Sequence, residues 1–341
     1  MKHILEHTEG LWGDLRGGRL FVTGGTGFFG RWMLESFLRA NDELGLNAEL
    51  IMLTRDPRRF ADAAPHVARH AAVTMHPGDV KSFDFPDSEC THVLHLATEA
   101  GAGLTPSASF QTAILGTERV LTFASLRGAR KLLLTSSGAV YGTQSPDCER
   151  LSEDYLGAPR PEDVSAGYGH GKRAAEYLCS VAAAETELQA KIARCFAFVG
   201  PLLPLDANFA IGNFIRDALY RDRIEVLGDG TARRSYLYAA DLAVWLWTIL
   251  VNGESGRPYN VGSEEDLSIA DLAHLVARVV GEGVPVRVAE SATAGAPATR
   301  YVPSTTRAAS ELGVHRRVML DEAVSRTAEW YSSGPTPRRA R

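Results

Sequence analysis

Short runs of apolar, β-prone residues alternate with longer segments of helical spacing through the first part of the chain. The helical segments are 31–38, about 107–127 and 167–184, with apolar residues three or four positions apart. The runs that predict strands lie at 19–22, 48–54, 70–75, 91–97, 130–136 and 190–196. Strands that alternate with helices of this length predict an α/β fold with a Rossmann-type, doubly wound parallel sheet.

The pattern changes after Gly200 and Pro201, where the segments become shorter and more mixed. The elements predicted there are helices at 211–220, 268–280 and 319–331, strands at 224–227 and 259–262, and a segment at 235–247 that starts extended and becomes an apolar helix. We therefore expect a Rossmann domain over 1–197, to which segments near 235–262 return. A smaller α/β domain should occupy mainly 198–333, followed by a disordered tail over 334–341.

A glycine-rich turn joins the first predicted strand to the first predicted helix. Gly24, Gly27 and Gly30 follow one another at G-x-x-G-x-x-G spacing. The first can form a tight turn, the second lets the backbone approach a pyrophosphate, and the third permits close packing of helix on strand. The start of the helix offers free N–H groups to phosphate oxygens. In this order the motif predicts a dinucleotide site, formed by Gly24, Thr26, Gly27, Phe28, Phe29 and Gly30.

Composition excludes several classes of protein. The 341-residue chain is 45% hydrophobic and has a net charge of −5, whereas a general nucleic-acid binder would carry a basic excess. The four cysteines form no C-x-x-C pair, so we expect neither a disulfide framework nor a metal site. We find no apolar leader, and the longest apolar run, 242–251, is too short to cross a bilayer. A cytoplasmic protein without a membrane partner is expected.

Two further stretches carry candidate chemistry. Tyr168 and Lys172 are separated by one helical turn, so they lie on one face of a predicted helix. A lysine ammonium beside a phenol stabilises the phenolate and lowers a tyrosine pKa that starts near ~10, which yields a general acid/base. Ser136 and Ser137 end a predicted strand, where ligands of open α/β sheets bind, and a hydroxyl there can hydrogen-bond a substrate oxygen.

Together these motifs resemble those of the extended short-chain dehydrogenases/reductases, in particular the NAD-dependent epimerase/dehydratase group that acts on nucleotide sugars. The resemblance covers most of the chain, from about Arg19 to Trp330. Family landmarks are also matched by Gly116-Thr117, by RCFAFVGP at 194–201, and by Gly228-Asp229-Gly230 followed by Arg234, Tyr238 and Asp241.

The resemblance implies roles for individual residues. Ser137 would orient the substrate carbonyl or hydroxyl, Tyr168 would transfer the proton, and Lys172 would hold the nicotinamide ribose. Arg234 would bind the nucleotide diphosphate, which suits the planar fork of an arginine. Further cofactor contacts are expected from Asp79, Val80, Leu96, Ala97, Thr98 and Thr135, and further substrate contacts from Ser136, Gly138 and Asn213. The family also implies a homodimer formed through the helices near 107–127 and 167–184.

Three departures from the family pattern concern the sugar side. In the family's 4,6-dehydratases an Asp-Glu pair follows the hydroxyl residue and eliminates water, whereas this chain has Gly138 and Ala139. Ala197 stands where many members have a substrate-contacting Asn, and 294–303 lack the usual Arg-Pro start. Dehydration by that route is therefore not expected, and the sugar subsite should differ from the ordinary one.

The end of the second predicted strand bears on the choice of cofactor. NAD-binding Rossmann units place an Asp or Glu there for the ribose 2′-OH, but this strand ends in Thr54-Arg55. Thr54 and Arg55 can bind a 2′-phosphate, with Arg58 or Arg59 assisting from the next turn. The alternative is that the arginines form a solvated loop and Asp56 takes the ribose. We favour NADP(H) over NAD(H).

The expected activity is hydride transfer between a nicotinamide cofactor and a nucleotide-diphosphate sugar. We predict reduction of an NDP-4-keto-(6-deoxy)hexose, because NADP(H) is a dissociable reductant. The alternative enzyme is an NDP-sugar 4-epimerase, which would oxidise and re-reduce its sugar on tightly held NAD. A regulator that senses NADP(H) without turnover is a third hypothesis, but such a protein would not need Ser137, Tyr168 and Lys172 together.

Overall fold

A seven-stranded, wholly parallel sheet forms the centre of the molecule in a computed structural model that describes residues 1–97, 105–281, 283–292 and 298–333. Its strand order is β11-β6-β5-β4-β1-β2-β3. These strands are β1 (Arg19–Thr23), β2 (Glu49–Thr54), β3 (Val73–Pro77), β4 (His92–His95), β5 (Lys131–Ser137), β6 (Gln189–Cys195) and β11 (Pro258–Val261).

Eleven helices accompany the strands within the described ranges. They are α1 (Lys2–Glu6), α2 (Phe28–Leu44), α3 (Pro57–Ala63), α4 (Pro65–Ala68), α5 (Pro106–Leu126), α6 (Gly167–Glu185), α7 (Ala210–Tyr220), α8 (Ala239–Asn252), α9 (Ile269–Val280), α10 (Thr306–Leu312) and α11 (Leu320–Ser333). Short 3₁₀ helices lie at Glu9–Leu15, Gly138–Tyr141 and Val164–Ala166.

Side chains on the central strands alternate between two apolar layers. Phe21 on β1 packs into the layer with α5 and α6, whereas its neighbours Leu20 and Val22 pack into the layer with α2 and α8. This alternation follows from the two-residue period of a strand, and burial of both faces explains the continuous apolar runs. The doubly wound parallel sheet expected from the sequence is confirmed.

The later part of the chain adds small sheets and helices beside the carboxyl ends of the central strands. Its remaining strands are β7 (Phe198–Val199), β8 (Ile224–Val226), β9 (Arg233–Ser235), β10 (Leu237–Tyr238), β12 (Asp266–Ser268), β13 (Val286–Val288) and β14 (Arg300–Tyr301). In one of these sheets β9 lies between β12 and β14, which places Tyr301 beside Arg234. This pairing joins two segments that are far apart in sequence.

Most predicted elements are present, with a few corrections. β3 begins at Val73 rather than at residue 70 because His70 closes a turn, in which its Nδ1 accepts from the Ala72 N–H at 3.1 Å. The mixed sequence gave no signal for α3, α4, α10, β9, β12, β13 or β14. The tail predicted over 334–341 lies outside the described residues, and the division at 197/198 stays a prediction.

Among the described residues, we find no helix with the length and apolar character needed to span a membrane. The most apolar helix, α8, is 14 residues long, and it is buried against the central sheet and α2.

Candidate active site

The glycine-rich turn has the geometry that each glycine requires. Gly24 has a φ of 72°, and a Cβ there would lie 2.5 Å from the Ala97 nitrogen. A Cβ on Gly30 would lie 2.2 Å from the Gly24 carbonyl oxygen, so neither position accepts a side chain without movement. Gly27 is exposed and a Cβ there would meet only the Gly24 oxygen, at 3.5 Å. The turn is therefore closely packed at Gly24 and Gly30 and open at Gly27.

A cavity of about 680 Å³ opens in front of this turn. Its volume falls in the range of roughly 300–1,000 Å³ that small-molecule sites occupy. Predicted cofactor residues on its wall are Gly24, Thr26, Gly27, Thr54, Arg55, Asp79, Val80, Leu96 and Ala97. The wall also includes residues that the sequence did not single out: Arg31, Phe60, Ala63 and Thr112. Thr98 lies outside the described residues.

The start of α2 faces this cavity. Gly27 is its N-cap and supplies no side-chain oxygen, so the first-turn N–H groups are available to an anion. Phe29 packs its ring edge-on against Phe198, with centroids 5.0 Å apart, and Phe28 lies beside Phe29. The two aromatic rings thus anchor the start of the helix while its backbone remains beside the cavity. These features fit a dinucleotide pyrophosphate.

A buried hydrogen-bond chain supports the cavity wall behind Ala97. The Ala97 N–H donates to Thr23 Oγ1, which lies 2.8 Å from His95 Nδ1. His95 Nε2 lies 3.1 Å from Thr117 Oγ1, and Thr117 donates to the Ala113 carbonyl. These partners are all satisfied by a neutral His95 protonated on Nε2. Burial lowers the pKa of His95 to about 3, with the Lys172 charge a smaller cause, which keeps the ring neutral.

Lys172 and Tyr168 lie together at the beginning of α6. Lys172 is buried, and its Nζ donates to the Thr135 carbonyl at 2.8 Å. The same Nζ lies 5.9 Å from the centroid of the half-buried Tyr168 ring. Burial lowers the pKa of Lys172 to about 8, so the lysine remains mostly charged at neutral pH. Thr135 thus contributes through its backbone by holding the lysine.

The two serines at the end of β5 have different surroundings. Ser137 Oγ accepts from the Ala139 N–H at 3.1 Å as the chain turns into a 3₁₀ helix. Ser136 Oγ donates to Glu176 at 2.5 Å, and Glu176 also accepts from Arg194. Ser136 and Ser137 therefore point to opposite sides of the strand. The side chain of Ser136 therefore belongs to a buried polar network and does not face the same side as the Ser137 hydroxyl.

Tyr301 also lies in this cluster, although no motif in the sequence indicates it. A Cβ on Gly138, the residue after Ser137, would lie 2.6 Å from the Tyr301 hydroxyl oxygen. The centroids of the Tyr301 and Phe196 rings are 4.7 Å apart. The signal in the sequence is weak, because only the long-range pairing of β14 with β9 delivers Tyr301 to this end of β5.

The two predicted substrate residues outside the Rossmann sheet are placed differently. The Arg234 guanidinium carbon lies 5.8 Å from the centroid of the Tyr301 ring, and its Nη1 donates to the Arg233 carbonyl at 2.8 Å. Arg234 therefore adjoins the Ser137 cluster. Asn213 lies on α7, where its Oδ1 accepts from Arg216 at 3.2 Å. The substrate role of Asn213 stays a prediction.

Metal-ligating side chains do not converge in the part of the chain that the structure describes. We find there no group of three or more His, Cys, Asp or Glu side chains that could hold a metal ion.

Comparisons with known proteins show which family the chain matches. Residues 20–262 match the model of the NAD dependent epimerase/dehydratase family. UDP-glucuronic acid decarboxylase 1 of Xenopus tropicalis is 28% identical over 316 residues, which cover 92% of this chain and 72% of the relative.

Solved structures share the fold. UDP-glucuronic acid 4-epimerase from Bacillus cereus, in complex with UDP-glucuronic acid and NAD, matches with a TM-score of 0.77 and 21% identity, covering 92% of this chain and 98% of that one. The dTDP-glucose 4,6-dehydratase DesIV from Streptomyces venezuelae, with NAD bound, matches with a TM-score of 0.77 and 23% identity, covering 92% and 97%.

Proposed function

The chain belongs to the NAD dependent epimerase/dehydratase family, and we propose that it reduces an NDP-4-keto-(6-deoxy)hexose with a nicotinamide cofactor. The observation that carries the proposal is the contact between the start of α6 and the end of β5: Lys172 Nζ donates to the Thr135 carbonyl and lies 5.9 Å from the centroid of the Tyr168 ring, and Ser137 ends the same strand. A proton donor, a hydroxyl and a buried cation are the groups that carbonyl reduction needs. The similarity to a UDP-glucuronic acid decarboxylase and to a UDP-glucuronic acid 4-epimerase supports a nucleotide sugar as substrate.

Each of the three residues has a distinct task in this proposal. When bound, the cofactor supplies the hydride. Ser137 donates a hydrogen bond to the sugar carbonyl oxygen and holds it in place. The Tyr168 hydroxyl gives its proton to the same oxygen, which becomes the product hydroxyl. Lys172, fixed on the Thr135 carbonyl, stabilises the phenolate that remains.

The residues after Ser137 favour simple reduction over elimination. Gly138 and Ala139 occupy the positions after the serine, and neither side chain can donate or accept a proton. Elimination of water needs a second acid/base pair next to the sugar. The hydrogen bonds of the neighbouring Glu176 tie it to Ser136 and Arg194 rather than to Ser137. Because Gly138 and Ala139 carry no acid/base side chain, the end of β5 supports reduction rather than elimination.

We propose NADP(H) as the cofactor because the cavity wall near the end of β2 is basic. Thr54, Arg55 and Arg59 line it, and Asp56 uses a carboxylate oxygen to cap α3 by accepting from the Arg59 N–H at 3.0 Å. That contact holds Asp56 at the start of a helix rather than at the end of the strand. A 2′-phosphate would find arginine forks here, which suit phosphate geometry.

Arg31, on the wall of the same cavity, also supports NADP(H) as the cofactor. Its guanidinium carbon lies 5.7 Å from the centroid of the Phe60 ring, and its Nη2 is 3.3 Å from Glu35. Among the described residues its buried Nε has no hydrogen-bond partner. Buried donors without a partner are uncommon, and an anion in the cavity would supply one.

Titration of NADPH and NADH tests the cofactor proposal. We expect a lower dissociation constant for NADPH in the wild type and loss of that preference in Arg55→Ala and in Arg31→Ala. Arg39→Ala is the matched control, because Arg39 is an exposed arginine on α2 that pairs with Glu43. Tighter binding of NADH by the wild type would contradict the proposal.

The sugar nucleotide is tested by protection against thermal unfolding. A ligand that binds the folded chain raises its midpoint, so a panel of UDP, dTDP, CDP and GDP sugars should contain at least one protecting member. Turnover is then measured as NADPH oxidation with the corresponding 4-keto sugar. Cofactor binding without oxidation by any keto-sugar nucleotide would favour the sensor hypothesis.

An NDP-sugar 4-epimerase is the second candidate. The observation that favours it is that the two similar solved structures described above hold NAD, and one of them is a UDP-glucuronic acid 4-epimerase. An epimerase would retain its cofactor through the catalytic cycle. Purification of the chain with a stoichiometric amount of NAD would therefore favour this activity over net reduction.

We also propose that the chain forms a homodimer through α5 and α6. Both helices carry exposed apolar side chains: Phe110 and Leu115 on α5 and Tyr177 on α6 are 38%, 45% and 69% exposed. Burial of such a face against a second copy would remove it from water. Sedimentation at micromolar concentration should give a dimer, and Leu115→Glu should give a monomer. A monomeric wild type would contradict this assembly.

A further inference from the structure

Glu176 on α6 and Arg194 on β6 form an ion pair whose side chains are both largely buried. Arg194 Nη2 donates to Glu176 Oε2 at 2.7 Å, and Arg194 Nε donates to the two carboxylate oxygens at 3.0 and 3.2 Å. The cost of removing two charges from water offsets much of their attraction, so a buried ion pair is weak evidence of added stability. Its directional hydrogen bonds do restrict the groups around it.

Two successive turns of α6 bind two successive residues of β5. Lys172 Nζ donates to the Thr135 carbonyl at 2.8 Å. One turn later, the Glu176 carboxylate accepts from Ser136 Oγ at 2.5 Å. Residues four positions apart share a helical face, so Tyr168, one turn before Lys172, lies on the face that these contacts fix. The contacts therefore hold the helix that carries the phenol against the end of β5.

The same ion pair binds the chain on the other side of Ser137. Arg194 Nη1 donates to the Tyr141 hydroxyl oxygen at 2.9 Å. Tyr141 is buried, it ends the short 3₁₀ helix that follows Ser137, and its hydroxyl donates to Asn260 on β11 at 2.7 Å. Ser136 before the serine and Tyr141 after it are thus both hydrogen-bonded to one ion pair.

The charge of Lys172 depends on its neighbours, because the side chain is buried. Burial lowers the pKa of Lys172 to about 8, and Cys195, Glu176 and Cys179 act in the opposite direction. Burial raises the pKa of both thiols to about 12, so each is neutral near pH 7. Tyr168 lies beside the lysine, with its ring centroid 5.9 Å from Nζ. The negative charge that supports the ammonium is therefore the Glu176 carboxylate, one helical turn away.

Groups on other elements also face Lys172 or Glu176. Burial lowers the pKa of His95 on β4 to about 3 and raises that of Tyr141 to about 12, so both are neutral near pH 7. Arg194 is charged and is held by the Glu176 carboxylate. Loss of the Glu176 charge would leave Arg194 uncompensated and would remove support from Lys172. Both changes disfavour the ammonium.

We propose that Glu176 is a positioning residue with two tasks: it fixes α6 on the end of β5 through Ser136, and its charge keeps the Lys172 ammonium protonated. The proposal rests on the function proposed above and deepens it, because the phenol and the serine hydroxyl must reach one sugar oxygen together. Ser136, which the resemblance implies as a substrate contact, would serve this bond instead.

Titration of Lys172 by NMR tests the second task without any substrate. The chain has five lysines, and with ¹³C at lysine Cε the Lys172 signal is the one that Lys172→Arg removes. We expect it to titrate near pH 8 in the wild type and at lower pH in Glu176→Gln. Glu185→Gln removes the same charge from the exposed end of α6 and should leave the titration unchanged. An unchanged Lys172 titration in Glu176→Gln would overturn this task.

The pH dependence of kcat distinguishes this task from a purely structural one. In Glu176→Gln the alkaline fall of kcat should move to lower pH together with the NMR titration of Lys172, because reduction needs the charged lysine. A structural defect would lower kcat equally at every pH, and that result would overturn the assignment.

Ser136→Ala tests the first task and leaves the ion pair intact, so it remains a test should Glu176→Gln not fold. We expect kcat about 10-fold lower, the scale of one lost hydrogen bond, with KM within about twofold. Ser180→Ala is the control, because Ser180 donates to the Glu176 backbone carbonyl instead of its side chain. Unchanged kcat, or a raised KM alone, would overturn the positioning by Ser136. Absence of turnover by the wild type would overturn only the proposed activity, since the NMR titration still decides the role of Glu176.

Discussion

The cofactor side and the substrate side of the cleft are built in different ways. The cofactor side comes from successive strand–turn–helix units, in which Gly24, Gly27 and Gly30 lie within a few residues of one another. The substrate side is assembled from the end of β5, the start of α6 and the β9–β14 pair, which are distant in sequence. The glycine-rich turn is thus formed by residues close in sequence, whereas the cluster around Ser137 and Tyr301 depends on long-range packing.

This difference indicates which positions of the chain can accept a different side chain. A glycine turn tolerates little change, because a Cβ at Gly30 would overlap the Gly24 carbonyl oxygen. Segments such as β14 are joined to the rest by a few backbone pairs, so they can bring a new side chain to the site without altering the sheet. Tyr301 beside Gly138 is an example.

The largest effect is expected where the two sides meet, at Tyr168. Tyr168→Phe keeps the aromatic ring but removes the proton donor. Turnover should fall by about 100-fold or more, the usual scale for a lost general acid/base. Steady-state kinetics give the turnover, and titration should show that cofactor affinity is retained. Near-normal turnover would mean that another group donates the proton.

A smaller effect, confined to binding of the sugar nucleotide, is expected at Arg234. Arg234→Ala removes a guanidinium that adjoins Tyr301 on the substrate side. Loss of charge-assisted hydrogen bonds to a diphosphate should weaken the sugar nucleotide about 10- to 150-fold. Calorimetry should show almost unchanged cofactor binding. Equal weakening of both ligands would indicate that Arg234 supports the fold.

Two substitutions in the glycine-rich turn, Gly30→Ala and Gly27→Ala, should have different effects. Gly30→Ala places a Cβ 2.2 Å from the Gly24 oxygen, so we expect a loss of about 1–3 kcal/mol in the free energy of unfolding, as for overpacking. Gly27→Ala meets no such contact and points into the cavity, so it should weaken cofactor binding with little change in stability. Denaturant unfolding and cofactor titration of both variants separate the two effects, and identical behaviour would contradict the geometry.

The smallest effect concerns pH. Burial lowers the pKa of His95 in the folded chain to about 3, while the unfolded histidine titrates near ~6.5. Between these values the unfolded chain binds the proton and the folded chain does not, so stability falls as pH drops below about 6.5. The buried His92, whose pKa burial also lowers, adds to the same trend. Unfolding midpoints at pH 7 and pH 5 measure this, and a His95→Asn variant should show a weaker dependence.

The sequence predicted the cofactor side in more detail than the substrate side. Apolar runs and the glycine spacing indicate β1, the turn and α2, because those features act over neighbouring residues. The pair Tyr168 and Lys172 was found because one helical turn separates them. Tyr301 was missed because its position depends on strand pairing across the fold. The different orientations of Ser136 and Ser137 likewise required the bonds to Glu176 and Ala139.

The central claim is net hydride transfer to a keto sugar, and an isotope measurement tests it most directly. The wild-type chain is incubated with an NDP-4-keto-6-deoxyhexose and NADPH that carries deuterium at both C4 positions, and the sugar product is analysed by mass spectrometry. The account predicts one deuterium at C4 of the product sugar and one NADP⁺ formed for each product molecule. Turnover that leaves the sugar without deuterium and forms no oxidised cofactor would contradict it.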